Sequence, residues 1–156
     1  MKRVLFVCTG NICRSPMAAG LFRKALADRG VDGVEVESTG IAAMDGWTAE
    51  PLAQEAVEPF GVDLSGHRAR MISEELIRWA DSILVMTPQQ RDAVVAMVPE
   101  TTDKVRLLGA YGPDNDPERA VPDPYGGSAM HYRACTVELL EAINGFLDTE
   151  GGAFGA

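Results

Sequence analysis

Short apolar runs alternate with amphipathic segments along almost the whole of this 156-residue sequence, and that alternation admits few architectures. Val4 to Cys8 is a five-residue apolar run of the kind a buried strand requires. From about Pro16 to Arg29 the residues Met17, Leu21, Ala25 and Leu26 recur at helical spacing, with Gly30 beyond the end. Val34 to Ser38 alternates as a strand does. Ala49 to Phe60 carries helix formers until Pro59 and Gly61 interrupt, and Ser73 followed by Glu74 and Glu75 marks the start of a short helix. Ser82 to Met86 is a third strand. Thr87, Pro88 and Gln90 then supply a cap, a first-position proline and a capping-box glutamine for a helix bearing Val94, Val95 and Val98. Lys104 to Leu108 is a fourth strand, and from about Ser128 to Leu147 the residues Tyr132, Cys135, Leu139, Ala142 and Phe146 share one face of a long closing helix.

Strands alternating with helices predict a three-layer α/β fold, a four-stranded parallel sheet with helices on both faces and a ligand crevice at the carboxyl ends of the strands. No repeat, low-complexity tract or linker divides the chain, so a single domain is expected over 1–150, followed by a frayed tail at 151–156. The segment from about Gly109 to Gly127 is a loop rich in Pro, Gly and Asp. It is longer than most connections in compact domains, and such loops usually serve function.

Composition removes several classes of function. Apolar residues at 46% and charged residues at 24% exclude wholesale disorder and a membrane protein. The formal charge of −9 argues against nucleic acid as a partner, because that binding needs a basic footprint. After Lys2 and Arg3 the first apolar run is too short for a signal peptide or a membrane span, so a reducing, cytoplasmic location is expected, with no membrane partner. Three cysteines and two histidines lack paired zinc spacings, and no nucleotide-binding glycine motif is present, so neither metal nor cofactor is expected. Oligomeric state is not legible.

The chemistry is concentrated where the first strand meets the first helix, in Cys8, Thr9, Gly10, Asn11, Ile12, Cys13, Arg14, Ser15 and Pro16. A cysteine just before a helix start faces the positive end of the helix dipole and a set of loop N–H groups. Both favour the thiolate, the form that attacks phosphorus at neutral pH. Five residues separate Cys8 from Arg14, enough for the backbone to curl around a tetrahedral anion with its N–H groups inward. The planar fork of Arg14 binds two phosphoryl oxygens at once, and Ser15 is placed to donate to the sulfur. Cys13 has two readings: a core residue, or a partner of Cys8 in a reversible disulfide. Cys135, on the apolar helix face, is read as core, and His131 has no assigned task.

The nine residues CTGNICRSP resemble the signature of low-molecular-weight protein-tyrosine phosphatases, whose cysteine, arginine and serine match Cys8, Arg14 and Ser15. The family's aspartate-proline-aromatic motif looks like Asp123, Pro124 and Tyr125, and the resemblance implies that Asp123 is the general acid; Asp114 and Asp116 compete for that role in the same loop. It further implies that Asn11 adopts a left-handed conformation supported by Ser38 and His67, which asparagine tolerates better than most residues. The implied function is hydrolysis of a phosphorylated protein. By side-chain type Ile12 and Tyr125 are read as walls of the substrate pocket, and Met44 and Trp47 as its rim or as scattered apolar surface residues.

Three alternatives accompany this reading. Asp123 to Ser128 also resembles the protein arginine phosphatases of the same superfamily, which carry a threonine where this chain has Ile12; an apolar isoleucine favours a flat phenyl ring and thus phosphotyrosine. Thioredoxin-coupled arsenate reductases are similar in fold and anion loop but need two further redox cysteines, and Thr87 to Val98 contains none. An inactive phosphate-binding module is disfavoured by the presence of Cys8, Arg14 and Asp123 together.

Overall fold

The computed structural model describes residues 2–150. Four parallel strands, β1 (Lys2–Cys8), β2 (Val34–Gly40), β3 (Ser82–Val85) and β4 (Val105–Leu107), form one sheet in the order β2-β1-β3-β4. The helices are α1 (Arg14–Asp28), α2 (Pro51–Val57), α3 (Glu74–Trp79), α4 (Pro88–Met97) and α5 (Ala129–Glu150).

The unbroken apolar run of β1 is explained by its place. It lies between β2 and β3, and successive side chains enter opposite cores. Val4, Phe6 and Cys8 join Met17, Phe22, Leu139 and Phe146 beneath α1, α2 and α5, whereas Leu5 and Val7 join Ile77, Ile83, Val94 and Leu107 beneath α3 and α4. Val4 to Val7 are fully buried, and each such side chain contributes about 1.5–3 kcal/mol relative to exposure. The Phe6 and Phe22 rings meet edge to face at 5.3 Å, which ties α1 to the strand that delivers Cys8.

Strand parallelism puts the carboxyl ends of β1, β2 and β3 on one edge. The chain runs from β1 outward to β2 and then returns to β3 on the other side of β1, so the order reverses beside Cys8, where open α/β sheets place their ligands.

Several boundaries differ from the sequence reading. Helix α1 begins at Arg14, two residues before Pro16, so Arg14 and Ser15 lie in its first turn. Helix α2 stops at Val57 and continues only as a 3-10 turn, Glu58–Phe60, because Pro59 lacks the N–H that a further α turn needs; Gly61, at φ 81°, ends it. The fourth strand is shortened to three residues by 3-10 turns at Pro99–Lys104 and Leu108–Tyr111. The expected caps are present: Ser73 accepts from Leu76 N–H, and Thr87 and Gln90 form a reciprocal capping box. The tail at 151–156 lies outside the described residues, and among those described no helix is long and apolar enough to cross a membrane.

Candidate active site

Asn11 organises the loop between β1 and α1. Its backbone is left-handed, φ 56°, and the residue is fully buried. Its N–H donates to Cys8 Sγ at 3.2 Å. Its side-chain amide donates to Ser15 Oγ at 2.8 Å and Ser38 Oγ at 3.0 Å, while Oδ1 accepts from Arg70 N–H at 3.0 Å. His67 Nε2 lies 2.7 Å from the Asn11 carbonyl oxygen; an oxygen with no proton to give requires the donor tautomer at Nε2. The structure brings Asn11, Ser38 and His67 together, with Arg70 as a fourth member.

Ser15 Oγ lies 2.9 Å from Cys8 Sγ and 3.3 Å from the Thr39 carbonyl. Since Asn11 already donates to that hydroxyl, its one proton goes either to the Thr39 carbonyl or to the sulfur, and the sulfur is the nearer of the two. The loop is fixed from outside as well. Ala42 N–H donates to Thr9 O, Glu50 N–H donates to Ile12 O, and Gln90 Nε2 donates to Thr9 Oγ1 at 3.1 Å. Gly40 permits this close approach: a Cβ there would lie 2.5 Å from Thr9 O and 2.9 Å from Asn11 N. Among the described residues, the N–H groups of Ile12, Cys13 and Arg14 meet no protein acceptor, which leaves them available to an anion at the helix start.

A cavity of about 190 Å³ is lined by Cys8, Thr9, Gly10, Ile12, Cys13, Arg14, Asp123 and Tyr125. Arg14 is buried. Nη1 donates to the Val121 carbonyl at 2.8 Å, Nη2 lies 3.5 Å from Asp123 Oδ2, and Nε is buried without a partner. A buried donor left unmatched costs about 1–3 kcal/mol, so the site favours an occupant with acceptor oxygens. Val121 also donates its N–H to Met86 O, which clips the long loop to the end of β3 and brings half-exposed Asp123 to the cavity.

The other candidates separate clearly. Neither competing acid lines the cavity: Asp114 pairs with Arg119, and Asp116 accepts from Glu118 N–H. Met44 and Trp47 are 58% and 53% exposed on the segment after β2; they do not line the cavity, unlike Ile12 and Tyr125. Burial pushes the Cys13 and Cys135 thiols up to about 12 each, keeping both protonated, and Cys13 Sγ rests 3.4 Å from Tyr132 Oη. Among the described residues no group of three or more His, Cys, Asp or Glu side chains could hold a metal. Gln90, Val121 and Arg70 were not legible as site residues. The sequence signal at Gln90 was its capping box, which gives no hint that the amide nitrogen reaches Thr9.

Burial is the main cause that lowers the His67 pKa; the Asn11 carbonyl opposes it, and the charges of Arg23, Arg68 and Arg70 reinforce it. Near the ordinary imidazole value of about 6.5 the unfolded chain therefore binds more protons, so this contribution to stability is present above that value and is lost as pH falls through the folded one. An NMR titration of the His67 ring is expected to give a midpoint below about 6.5, and His67→Gln to flatten the acid-side fall in Tm; a midpoint above that value would contradict the account.

The family described as low molecular weight phosphotyrosine protein phosphatase matches residues 3–150. A protein-arginine-phosphatase from Geobacillus stearothermophilus is 40% identical over 144 residues, 91% of each chain. The low molecular weight protein-tyrosine-phosphatase Wzb of Escherichia coli is 38% identical over 140 residues, 90% of this chain and 88% of that one. The solved structure of the YwlE arginine phosphatase from Geobacillus stearothermophilus superposes with a TM-score of 0.87 at 35% identity, covering 98% of this chain and 95% of its own. With a family match that spans nearly every described residue and a solved relative that superposes over almost the whole chain, this chain belongs to the low-molecular-weight phosphotyrosine protein phosphatase family.

Proposed function

We propose that the chain is a protein phosphatase that hydrolyses phosphotyrosine monoesters through a cysteinyl-phosphate intermediate. The observation that carries this reading is that Cys8, Arg14 and Asp123 line one cavity, with the Cys8 sulfur receiving the Asn11 N–H and facing the Ser15 hydroxyl. Cys8 thiolate attacks phosphorus in line, the bond from phosphorus to the phenolic oxygen breaks, and Asp123 delivers its proton to that oxygen. A water then attacks the phosphocysteine, Asp123 takes a proton from it, and phosphate leaves with regeneration of the thiolate. Ser15 stabilises the sulfur as it departs, and Arg14 with the loop N–H groups holds the phosphoryl oxygens through both steps.

Ile12, 9% exposed, and Tyr125 supply apolar walls suited to a phenyl ring. A second reading, protein arginine phosphatase, is favoured by the 40% identity to a relative of that name. Buried, free Cys13 and Cys135 suit a reducing, cytoplasmic setting.

Asp123→Asn is expected to lower kcat by about 10²- to 10³-fold with KM little changed, in steady-state assays with a phosphotyrosine peptide. Unchanged kcat would remove Asp123 from the mechanism. Side-by-side kcat/KM values for phosphotyrosine and phosphoarginine peptides, with Cys8→Ser as the inactive control, are expected to favour phosphotyrosine. Ile12→Thr is expected to move the ratio toward phosphoarginine by about tenfold. A wild-type preference for phosphoarginine would establish the second reading instead.

A further inference from the structure

Beside Ser38, His67 and Arg70, the residues that hold Asn11, lies a larger cavity of about 430 Å³ whose polar lining includes Arg23, Arg68, Arg70, His67, Glu37 and Asp63. Ala19 and Gly66 border it without filling it. Both carboxylates have partners, but only Glu37 is neutralised by a cation; Asp63 keeps its charge. Glu37 is bound by Arg70 Nη2 at 2.6 Å, and Asp63 Oδ1 accepts the Ser65 N–H at 2.9 Å in an exposed turn. Arg70 is thereby neutralised, and its Nε is used on the Ser38 carbonyl at 3.1 Å.

Arg23 and Arg68 differ. Arg23 Nη2 donates to the Val36 carbonyl at 2.6 Å and Arg68 Nη1 to the His67 carbonyl at 2.8 Å, but among the described residues neither forms an ion pair. Most arginines of this acidic chain do, including Arg3, Arg14, Arg29, Arg78, Arg91 and Arg119. Two guanidinium groups outside any ion pair among the described residues, with spare N–H donors, therefore border one concave space whose remaining unpaired charge is the single carboxylate of Asp63, in a molecule of net charge −9. That arrangement suits a compact oxyanion, which accepts several N–H bonds at once, and it repels a cation.

We propose that this second cavity binds a phosphate-class dianion, as inorganic phosphate or as a small phosphomonoester, held by Arg23 and Arg68. The site shares its wall with the anion loop. His67 holds the Asn11 carbonyl, Arg70 N–H holds Asn11 Oδ1, and Ser38 belongs to both the cavity and the Asn11 network. An anion beside these residues offsets the arginine charges that disfavour His67 protonation, and a protonated ring would grip the Asn11 carbonyl more strongly. Occupancy of the second cavity thus firms the loop around Cys8, and by linkage an occupied loop raises affinity at the second cavity.

The test is a titration of the isotope-labelled full chain with inorganic phosphate. Proton–nitrogen NMR follows the side-chain Nε–H signals of Arg23 and Arg68 beside the backbone N–H signals of Ile12 and Cys13. The arginine signals are expected to saturate with a midpoint of their own. Arg23→Gln is expected to weaken the midpoint read at Arg68 by about tenfold, and Arg68→Gln that read at Arg23, while the loop signals still titrate and report an intact fold. A parallel titration of the Cys8→Ser chain with glycerol phosphate distinguishes the sources: a tighter midpoint than that of phosphate assigns the site to a monoester, a weaker one to the free ion. Arginine signals that stay fixed, or that follow the loop midpoint in the wild type and in both arginine variants, would overturn the proposal. Since binding is read without turnover, this result stands or falls separately from the assigned hydrolase activity.

Discussion

The site depends on burying one asparagine with its backbone in the left-handed region, which asparagine tolerates better than most residues but still at a cost. Left-handed backbone costs a non-glycine residue about 1–2 kcal/mol. Asn11 offsets this with five hydrogen bonds, to Cys8, Ser15, Ser38, Arg70 and His67, each contributing about 0.5–1.5 kcal/mol net. The total exceeds the strain, so the turn is fixed rather than sampled. Because the partners come from α1, β2 and the segment at His67 to Arg70, the loop cannot take its shape until those elements have docked. Fold and site are therefore coupled through a single residue.

The acid is delivered by a different device. A loop from Gly112 to Ser128 with little regular structure would ordinarily wander, yet Val121 fixes it in two directions, its N–H to Met86 O at the end of β3 and its carbonyl to Arg14 Nη1. Arg14 thus has two tasks. One edge of its guanidinium holds the loop that carries Asp123, and its unmatched Nε remains for an anion. Two positions after Val121, Asp123 stands 3.5 Å from the same guanidinium. The geometry joins the proposed acid to the proposed phosphate clamp through one side chain.

Much of this was legible beforehand, for identifiable reasons. The parallel three-layer architecture followed from apolar runs alternating with helical spacing, and β1 carried the clearest signal because burial on both faces leaves no polar position. Capping chemistry marked α3 and α4. The start of α1 was hidden because its N-cap is Cys13, which makes no side-chain capping bond and so carries none of the usual Ser, Thr, Asp or Asn signal. Cys8, Arg14 and Asp123 were readable as residue types in motifs, but their convergence through Val121 was not, since a backbone carbonyl leaves no trace in a sequence. Met44 and Trp47 have the side-chain type of pocket residues, but the cavity is lined by Ile12 and Tyr125 and not by them. The arginine-lined second cavity leaves no mark in the sequence, because Arg23 and Arg68 are far apart along the chain and come to line one space only in the folded molecule.

Hydrolysis by the proposed route requires the Cys8 sulfur itself to receive the phosphoryl group. Rapid-quench phosphorus NMR during turnover of a phosphotyrosine peptide tests it most directly. A transient phosphorus–sulfur species that maps to Cys8 and decays at the rate of phosphate release is the expected result. Release of phosphate with no such species, or with the phosphoryl group on another residue, would contradict the account.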